Sequence, residues 1–156
     1  MIFKKPDRYI NRVFVHCSAS DNSSLIGDKL VSTIDNWHRH RKPMPFDEIG
    51  YHFVIDKQGT ILPGRNIEKK PAAQERHNLA TIAICVHGLK NFTAASLFAL
   101  KEFCNQINLA YEGKISFHGH KEVNPYKTCP VYDYKNILNL NEDGIMKTNF
   151  ERKHHA

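Results

Sequence analysis

The sequence predicts a single α/β domain with a mixed central sheet of about five strands flanked by helices. Two segments, "RVFVHC" (12–17) and "ATIAICVHG" (80–88), are almost entirely apolar or β-branched, which is typical of buried strands. Segments with apolar residues at helical spacing alternate with such strands, and one hairpin pattern is inserted. The chain of 156 residues has the length of one ordinary domain, so these elements can share one core.

The first predicted strand, residues 12–17, has two distinct faces. Side chains alternate along a strand, so Val13 and Val15 should share one face. Phe14 and His16 should lie on the other face. His16 therefore ends an apolar strand, and the polar residues "SAS" follow it at once.

A helix is expected after the polar stretch "SASDNSSLIG", whose composition predicts a loop. Leu30, Ile34 and Trp37 recur at helical spacing in this segment. Pro43 and Pro45 in "RKPMP" should bring the helix to an end, because proline cannot continue it.

The segment "GYHFVIDKQGTILPGR" (50–65) predicts a hairpin. Tyr51, Phe53 and Ile55 alternate with other residues and should share one face of its first strand. Asp56 and Gly59 occupy the ends of a four-residue turn, at positions that these residue types favour.

The second half of the chain continues the alternation. Residues 80–88 are nearly all apolar and predict a central strand covered on both faces. Thr93 is a suitable N-cap for a helix with an apolar stripe of Leu97, Leu100, Cys104, Ile107 and Tyr111. "KISFHGH" (114–120) predicts another strand, and Asp133 can cap a last short helix. Residues 145–156 predict a polar C-terminal tail.

The charge and composition restrict the partners and the cellular location. A net charge of +6 and a pI of about 9.2 favour an acidic partner, such as nucleic acid, an anionic cell wall or an acidic protein surface, or a merely solvated surface. The sequence has no zinc-finger spacing and no aromatic RNA-binding motif, so nucleic acid is not predicted. No apolar run is long enough to span a membrane, and the N-terminal segment lacks a signal core. We therefore expect synthesis in the cytosol, without membrane insertion.

The segment "HGHKEVNPYKTCP" (118–130) predicts part of a metal site. A catalytic zinc takes three protein ligands, commonly His and Cys, and leaves a fourth position open. His120 and Cys129 are candidates from this segment, and His16 is the candidate from a strand end. His118 would share the face of His120 on a regular strand, so the spacing alone leaves it open. Cys17 is a weaker candidate, because neighbouring strand residues point to opposite faces.

Four sequence blocks, taken in order, resemble the phage amidase-type lysozymes (endolysins). The blocks are "FVHCSAS", "GYHFVIDKQGT", "TIAICVHG" and "GHKEVNPYKTCP", and the resemblance extends from about residue 13 to residue 134. These enzymes are zinc N-acetylmuramoyl-L-alanine amidases that share the fold of the peptidoglycan recognition proteins. The resemblance implies one zinc amidase domain over residues 1–144, with peptidoglycan as the substrate.

The resemblance also assigns roles to five residues. It makes His16, His120 and Cys129 the ligands of one Zn²⁺ per chain, and it favours His120 over His118. Tyr51, in "GYHF", and Lys127, in "YKTCP", match the two catalytic side chains of the family. The enzyme would be monomeric and would wait in the host cytoplasm until it is released to the wall.

The resemblance is incomplete at two places. The loop between His120 and Lys127 is one residue longer than in a related phage enzyme. A histidine that many members carry near the substrate cleft is replaced here by Ala72 and Ala73, and His77 is the residue that could substitute for it.

Other functions are compatible with parts of the sequence. The same fold can bind peptidoglycan without cleaving it, although such proteins typically lack the cysteine ligand that Cys129 supplies here. A glycosidase would need two carboxylates that flank a sugar bond, and Asp47, Glu48 and Glu122 show no such arrangement. A metal-free cysteine hydrolase could use Cys129 with His120. A related phage enzyme also inhibits its phage's RNA polymerase, which makes that polymerase a further candidate partner.

Overall fold

The computed structural model describes residues 1–147, and its elements follow the predicted order. The strands are β1 (Arg12–Cys17), β2 (Phe53–Ile55), β3 (Ile61–Pro63), β4 (Thr81–Val86) and β5 (Ser116–Gly119). The α-helices of this part of the chain are α1 (Gly27–Arg39), α2 (Ala94–Ala110) and α3 (Tyr134–Ile137), and a single-turn 3-10 helix spans His120–Glu122. The predicted α/β fold with a mixed five-stranded sheet is confirmed.

The sheet has the strand order β3-β2-β4-β1-β5. The four strands β2, β4, β1 and β5 run parallel, and β3 pairs with β2 in the antiparallel sense. All six residues of the central strand β4 are buried, as its unbroken apolar sequence predicted. Because β1 and β5 are parallel neighbours, their carboxyl ends meet at the same edge of the sheet.

The two longer helices cover opposite faces of this sheet. The buried face of α2 packs with Val13 and Val15 of β1 in the larger apolar cluster. Leu30 and Ile34 of α1 pack with Val54 of β2 in the smaller cluster. His16 alternates with the valines of β1, so its side chain lies on the face that α1 covers.

Two sequence predictions about side-chain direction were wrong. Trp37 is 41% exposed, because the buried stripe of α1 advances in steps of four through Leu30 and Ile34 and so leads to His38 rather than Trp37. Tyr51 does not share a face with Phe53, because β2 begins only at Phe53 and the chain bends just before it. Tyr51 packs against the α1 cluster instead.

The predicted caps and turn are confirmed. The Thr93 side chain accepts a hydrogen bond from the Ser96 N–H at 3.0 Å, which caps α2. Asp133 caps α3 in the same way. The hairpin turn is closed by a bond from the Gly59 N–H to the Asp56 carbonyl at 3.0 Å.

The chain remains attached to the sheet beyond Gly144. Ile145 forms a bridge with Ser116, and Met146, which is buried, forms one with Leu140. The rest of the predicted tail, residues 148–156, lies outside the described residues, and the domain boundary at residue 144 stays a prediction. Among residues 1–147, no helix is long and apolar enough to cross a membrane.

Candidate metal centre

Three predicted ligands meet at the carboxyl edge of the sheet. His16 lies near the end of β1, and His120 begins the 3-10 helix that follows β5. Cys129 comes from the loop that returns to this edge. The ligand atoms of His16, His120 and Cys129 lie within 4.8 Å of one another. The buried Tyr132 holds this arrangement, because its hydroxyl donates to the His16 carbonyl at 2.9 Å.

The spacing of these atoms suits a tetrahedral zinc ion. The Cys129 Sγ lies 3.8 Å from the His16 Nδ1. Ordinary Zn–S and Zn–N bonds at a tetrahedral angle place the two ligand atoms about 3.6 Å apart. The rings of His16 and His120 are also close, with centroids 4.9 Å apart. Two imidazoles and one thiol at these distances form a donor set that fits zinc.

The loop that carries Cys129 is closed by its own main chain. The Lys121 N–H donates to the Cys129 carbonyl at 2.9 Å. The loop also packs tightly on β5 at Gly119, where a Cβ would lie only 2.8 Å from the Pro130 Cδ and 2.7 Å from the Tyr134 ring. The absence of a side chain at Gly119 therefore lets the loop bring Cys129 back to His120.

His118 takes no part in this cluster. Its Nδ1 lies 3.0 Å from a carboxylate oxygen of Glu122, and its Nε2 lies 2.7 Å from the Ser116 hydroxyl. The strand β5 ends at Gly119, so the alternation that would have placed His118 and His120 on one face is broken. The local end of the strand thus separates two histidines that the spacing alone could not distinguish.

Comparison with known sequences identifies the family. The sequence model of the N-acetylmuramoyl-L-alanine amidase family matches residues 6–132. The chain belongs to this amidase family. Its relatives include the endolysin of Escherichia phage T7, with 32% identity over 83% of this chain and 86% of the relative. The endolysin of Enterobacteria phage T3 is 31% identical over 88% of this chain and 91% of the relative.

Solved structures show the same fold. An endolysin N-acetylmuramoyl-L-alanine amidase from Clostridium intestinale superimposes with a TM-score of 0.70, at 24% identity over 83% of this chain and 82% of that one. A Drosophila peptidoglycan recognition protein gives a TM-score of 0.64, at 21% identity over 81% and 82% of the two chains. The predicted resemblance of this chain to amidase endolysins, and of its fold to the recognition proteins, is confirmed.

Burial keeps both imidazoles of the amidase neutral at neutral pH. Burial, reinforced by the neighbouring His120, lowers the pKa of His16 to about 3. Burial and the positive charge of Lys127 lower the pKa of His120 to about 4. A neutral imidazole is the form that coordinates a metal, so both rings are ready to act as ligands.

The Cys129 sulfur has a mixed environment. The adjacent Cys17 thiol and burial raise the pKa of Cys129, while the Cys17 N–H donates to its sulfur at 3.1 Å. Cys17 itself is buried in the apolar core and offers no ligand atom to the cluster. Coordination to a divalent cation would remove the proton of the Cys129 thiol, because a thiol binds a metal as the thiolate.

The cluster opens into a cleft of about 790 Å³, which both predicted catalytic side chains line. Lys127 is exposed in the cleft wall, two residues before Cys129. The Tyr51 ring lies 5.2 Å from the His16 ring, centroid to centroid. Burial raises the pKa of Tyr51 well above its ordinary value, so its hydroxyl is neutral at physiological pH.

Two residues near the centre were missed in the sequence. Gln74 is fully buried, and its Oε1 lies 2.9 Å from the His16 Nε2. His38 lines the cleft, where its Nδ1 accepts the Gly50 N–H at 2.8 Å and its ring lies 5.2 Å from that of Tyr51. The spacing of four from Ile34 could have indicated the direction of His38, whereas no local pattern indicates Gln74.

The segment from Ala72 to His77, which departs from the family pattern, contributes to two separate grooves. Ala72 and Ala73 line the cleft, at the place where a histidine was sought. His77 lines a different groove, together with Arg12 and Arg76, at the opposite edge of the sheet. The expectation that His77 could substitute for that histidine was therefore wrong, and Glu75 and Asn78 line this wall of the cleft together with the two alanines.

Proposed function

We propose that this amidase is a zinc-dependent endolysin that cleaves the amide between N-acetylmuramic acid and L-alanine in bacterial peptidoglycan. The observation that carries the proposal is the convergence of His16, His120 and Cys129 within 4.8 Å at the base of the cleft. Zinc would be held by these three residues, one ion per chain. The phage relatives named endolysins support the lytic role.

Hydrolysis of an amide is slow without a catalyst, and a zinc ion would assist it in two ways. An amide is a poor electrophile and water is a poor nucleophile. Zinc held by these residues would supply a Lewis acid that polarises the carbonyl and lowers the pKa of bound water towards about 7. With two neutral imidazoles and one thiolate as ligands, the centre would keep a net charge of about +1, which favours a bound hydroxide.

Lys127 and Tyr51 supply the remaining groups. Attack of water on the amide develops negative charge on the carbonyl oxygen, and the Lys127 ammonium can stabilise that charge from the cleft wall. The neutral Tyr51 hydroxyl can orient the attacking water or pass on a proton. The burial of His16 beneath the cleft keeps its ring in place while these groups act.

The charge of the protein suits the proposed substrate. A chain with a net charge of +6 is attracted to an anionic cell wall. The protein would be made in the host cytoplasm and would reach the wall after release. Inhibition of an RNA polymerase and a monomeric state stay predictions that rest on the resemblance alone.

Product analysis tests the bond that is cleaved. Digestion of purified peptidoglycan should release stem peptides with a free L-alanine amino group, detected by mass spectrometry, without new reducing sugar ends. Chelation should stop the reaction, and added zinc should restore it. New reducing ends would support a glycosidase, and activity that survives chelation would support a metal-free cysteine hydrolase.

A pair of neighbouring histidines provides a matched control. His120→Ala should lose zinc and activity, because it removes a ligand. His118→Ala should keep both, because its ring bonds to Ser116 and Glu122 outside the cluster. Elemental analysis of the two folded variants gives the answer, and equal zinc contents in them would refute the proposed ligand set.

A further inference from the structure

The orientation of the His16 ring depends on which nitrogen carries the hydrogen. A neutral imidazole has one N–H, and only the other nitrogen has a lone pair that can bind a metal. The His16 Nδ1 lies on the side of Cys129, and its Nε2 points to Gln74. Nδ1 can therefore serve as the ligand atom only if the hydrogen resides on Nε2.

The hydrogen bonds of Gln74 determine where that hydrogen lies. The Thr81 hydroxyl donates to the Asn78 carbonyl at 2.8 Å, so its oxygen is left as an acceptor for Gln74. The Gln74 amide nitrogen lies 2.8 Å from this oxygen and 3.3 Å from the His77 carbonyl. Both neighbours accept, so the NH₂ group must face them. The Gln74 oxygen then faces His16, and it can only accept.

Main-chain hydrogen bonds also hold the turn in which Gln74 lies. The Asn78 side-chain oxygen accepts the N–H groups of Ala73 and Gln74 at 3.1 and 3.0 Å, which fixes the turn that carries Gln74. Gln74 and Thr81 are fully buried, and His16 is 1% exposed, so water does not compete for these bonds. A flipped amide would place its oxygen against the His77 carbonyl oxygen, and two acceptors would then face each other with no hydrogen between them.

We propose that Gln74 is a positioning residue that holds His16 in the Nε2–H tautomer and so presents the Nδ1 lone pair to the metal. The proposal rests on the proposed zinc function for its consequence, but the tautomer exists without metal. Hydrogen-bond partners of this kind orient metal-bound histidines, and losing one typically costs about 10–100-fold in metal affinity.

The first test reads the tautomer directly in the zinc-free protein. Long-range ¹H–¹⁵N correlation spectra of ¹⁵N-labelled protein distinguish a protonated ring nitrogen from an unprotonated one. At neutral pH, His16 should show a protonated Nε2 and an unprotonated Nδ1. A protonated Nδ1 in the native chain would overturn the proposal, whatever the zinc content.

The second test removes the acceptor. Gln74→Met keeps a similar length but lacks the amide oxygen, so His16 should populate both tautomers and zinc affinity should fall about 10–100-fold. The matched control is Gln106→Met, the same substitution on α2, where the side-chain oxygen accepts the Phe3 N–H at 2.8 Å instead of bonding to His16. It should keep the Nε2–H tautomer and a zinc affinity within about threefold of the native value.

The outcomes separate this inference from the zinc proposal. A native chain that shows the Nε2–H tautomer but binds no zinc would overturn the zinc function and leave the role of Gln74 in the tautomer standing. Gln74→Met with an unchanged tautomer and unchanged zinc affinity would overturn the role of Gln74 alone. If Gln74→Met does not fold, the native spectrum still decides the tautomer, and a protonated Nδ1 there overturns the proposal.

Discussion

Two buried histidines lie in regions of opposite character. His52 precedes β2, and main-chain groups occupy both of its nitrogens: Nδ1 accepts the Ala83 N–H at 3.1 Å, and Nε2 lies 2.7 Å from the Lys69 carbonyl. In His16, by contrast, side chains contact both nitrogens: Nε2 lies 2.9 Å from the Gln74 Oε1, and Nδ1 lies 3.8 Å from the Cys129 Sγ. Both histidines are 1% exposed.

Burial alone therefore does not distinguish a metal-binding histidine from a structural one. Burial lowers the pKa of His52 to about 4 and that of His16 to about 3, so both rings are neutral at pH 7. What differs is the partner: main-chain groups bind both nitrogens of His52, whereas the Nδ1 of His16 faces a thiol that can share a metal ion with it. Changes near His16 should therefore alter metal binding and activity with little loss of stability, and changes at His52 should do the reverse.

The largest expected effect comes from Cys129→Ser. A hydroxyl is a far poorer zinc ligand than a thiolate, so zinc affinity should fall by orders of magnitude and activity should be lost. The thermal midpoint of the zinc-free protein should change little. Cys104→Ala, which alters a buried thiol of α2, is the control that should keep stoichiometric zinc. Zinc retained at one ion per chain in Cys129→Ser would remove Cys129 from the ligand set.

Lys127→Ala should separate catalysis from metal binding. If its ammonium stabilises the developing oxyanion, kcat should fall about 10²–10³-fold, while zinc content and wall binding stay near native, because the interaction forms mainly in the transition state. Turnover, zinc content and thermal stability should be measured on one preparation. Turnover within about threefold of native would show that Lys127 is dispensable.

Burial of His52 should make the free energy of unfolding decrease as the pH falls. The folded state holds the pKa of His52 near 4, whereas the ordinary value is 6.5, so the unfolded chain binds a proton first as the pH falls. The contribution of neutral His52 to the free energy of unfolding is about 3 kcal/mol. It is fully present above about pH 6.5, declines as the pH falls and is lost below about pH 4. Thermal unfolding of the zinc-free protein measures the decline.

A variant isolates His52 from the other buried histidines. Burial also lowers the pKa values of His16 and His38, so they add to the decline in the native chain. His52→Gln keeps an uncharged side chain that can donate and accept, and it should make the decline between pH 6.5 and pH 4 shallower while zinc content is unchanged. An identical pH dependence in the two chains would contradict the assignment.

The smallest expected effect is that of Tyr51→Phe. Removal of the hydroxyl should lower kcat about 10²-fold if that group orients water or moves a proton, which is the lower end of the range for such groups. Its ring still packs against the α1 cluster, so stability should be nearly native. Activity equal to that of the native enzyme would assign Tyr51 a packing role only.

Much of the fold could be predicted because the relevant signals are local. The strand β1 was predicted at Arg12–Cys17 from its β-branched and aromatic residues, and the structure has the same bounds. The caps Thr93 and Asp133 were recognised because a cap acts within three residues of itself. Trp37 was misplaced because helical spacing permits steps of three or four, and only the packing of α1 on the sheet decides between them.

The centre was predictable in part for the same reason. His16 could be proposed from its place at the end of a strand. Spacing alone left His118 and His120 open, the family resemblance favoured His120, and the end of β5 at Gly119 gives the physical reason. Gln74 could not be predicted, because it reaches His16 across 58 residues of sequence and no spacing rule connects them. Contacts of this kind become visible only when the sheet and its loops are assembled.

The hydrogen bond from the Lys121 N–H to the Cys129 carbonyl has a consequence for the length of the loop that it closes. It ties the loop at its base, so a residue can be added between His120 and Lys127 without moving His120 or Cys129. One added residue changes the closure entropy of such a loop by well under ~0.6 kcal/mol, the cost of doubling its length. The wall of the cleft can therefore change in length here while His120 and Cys129 stay in place.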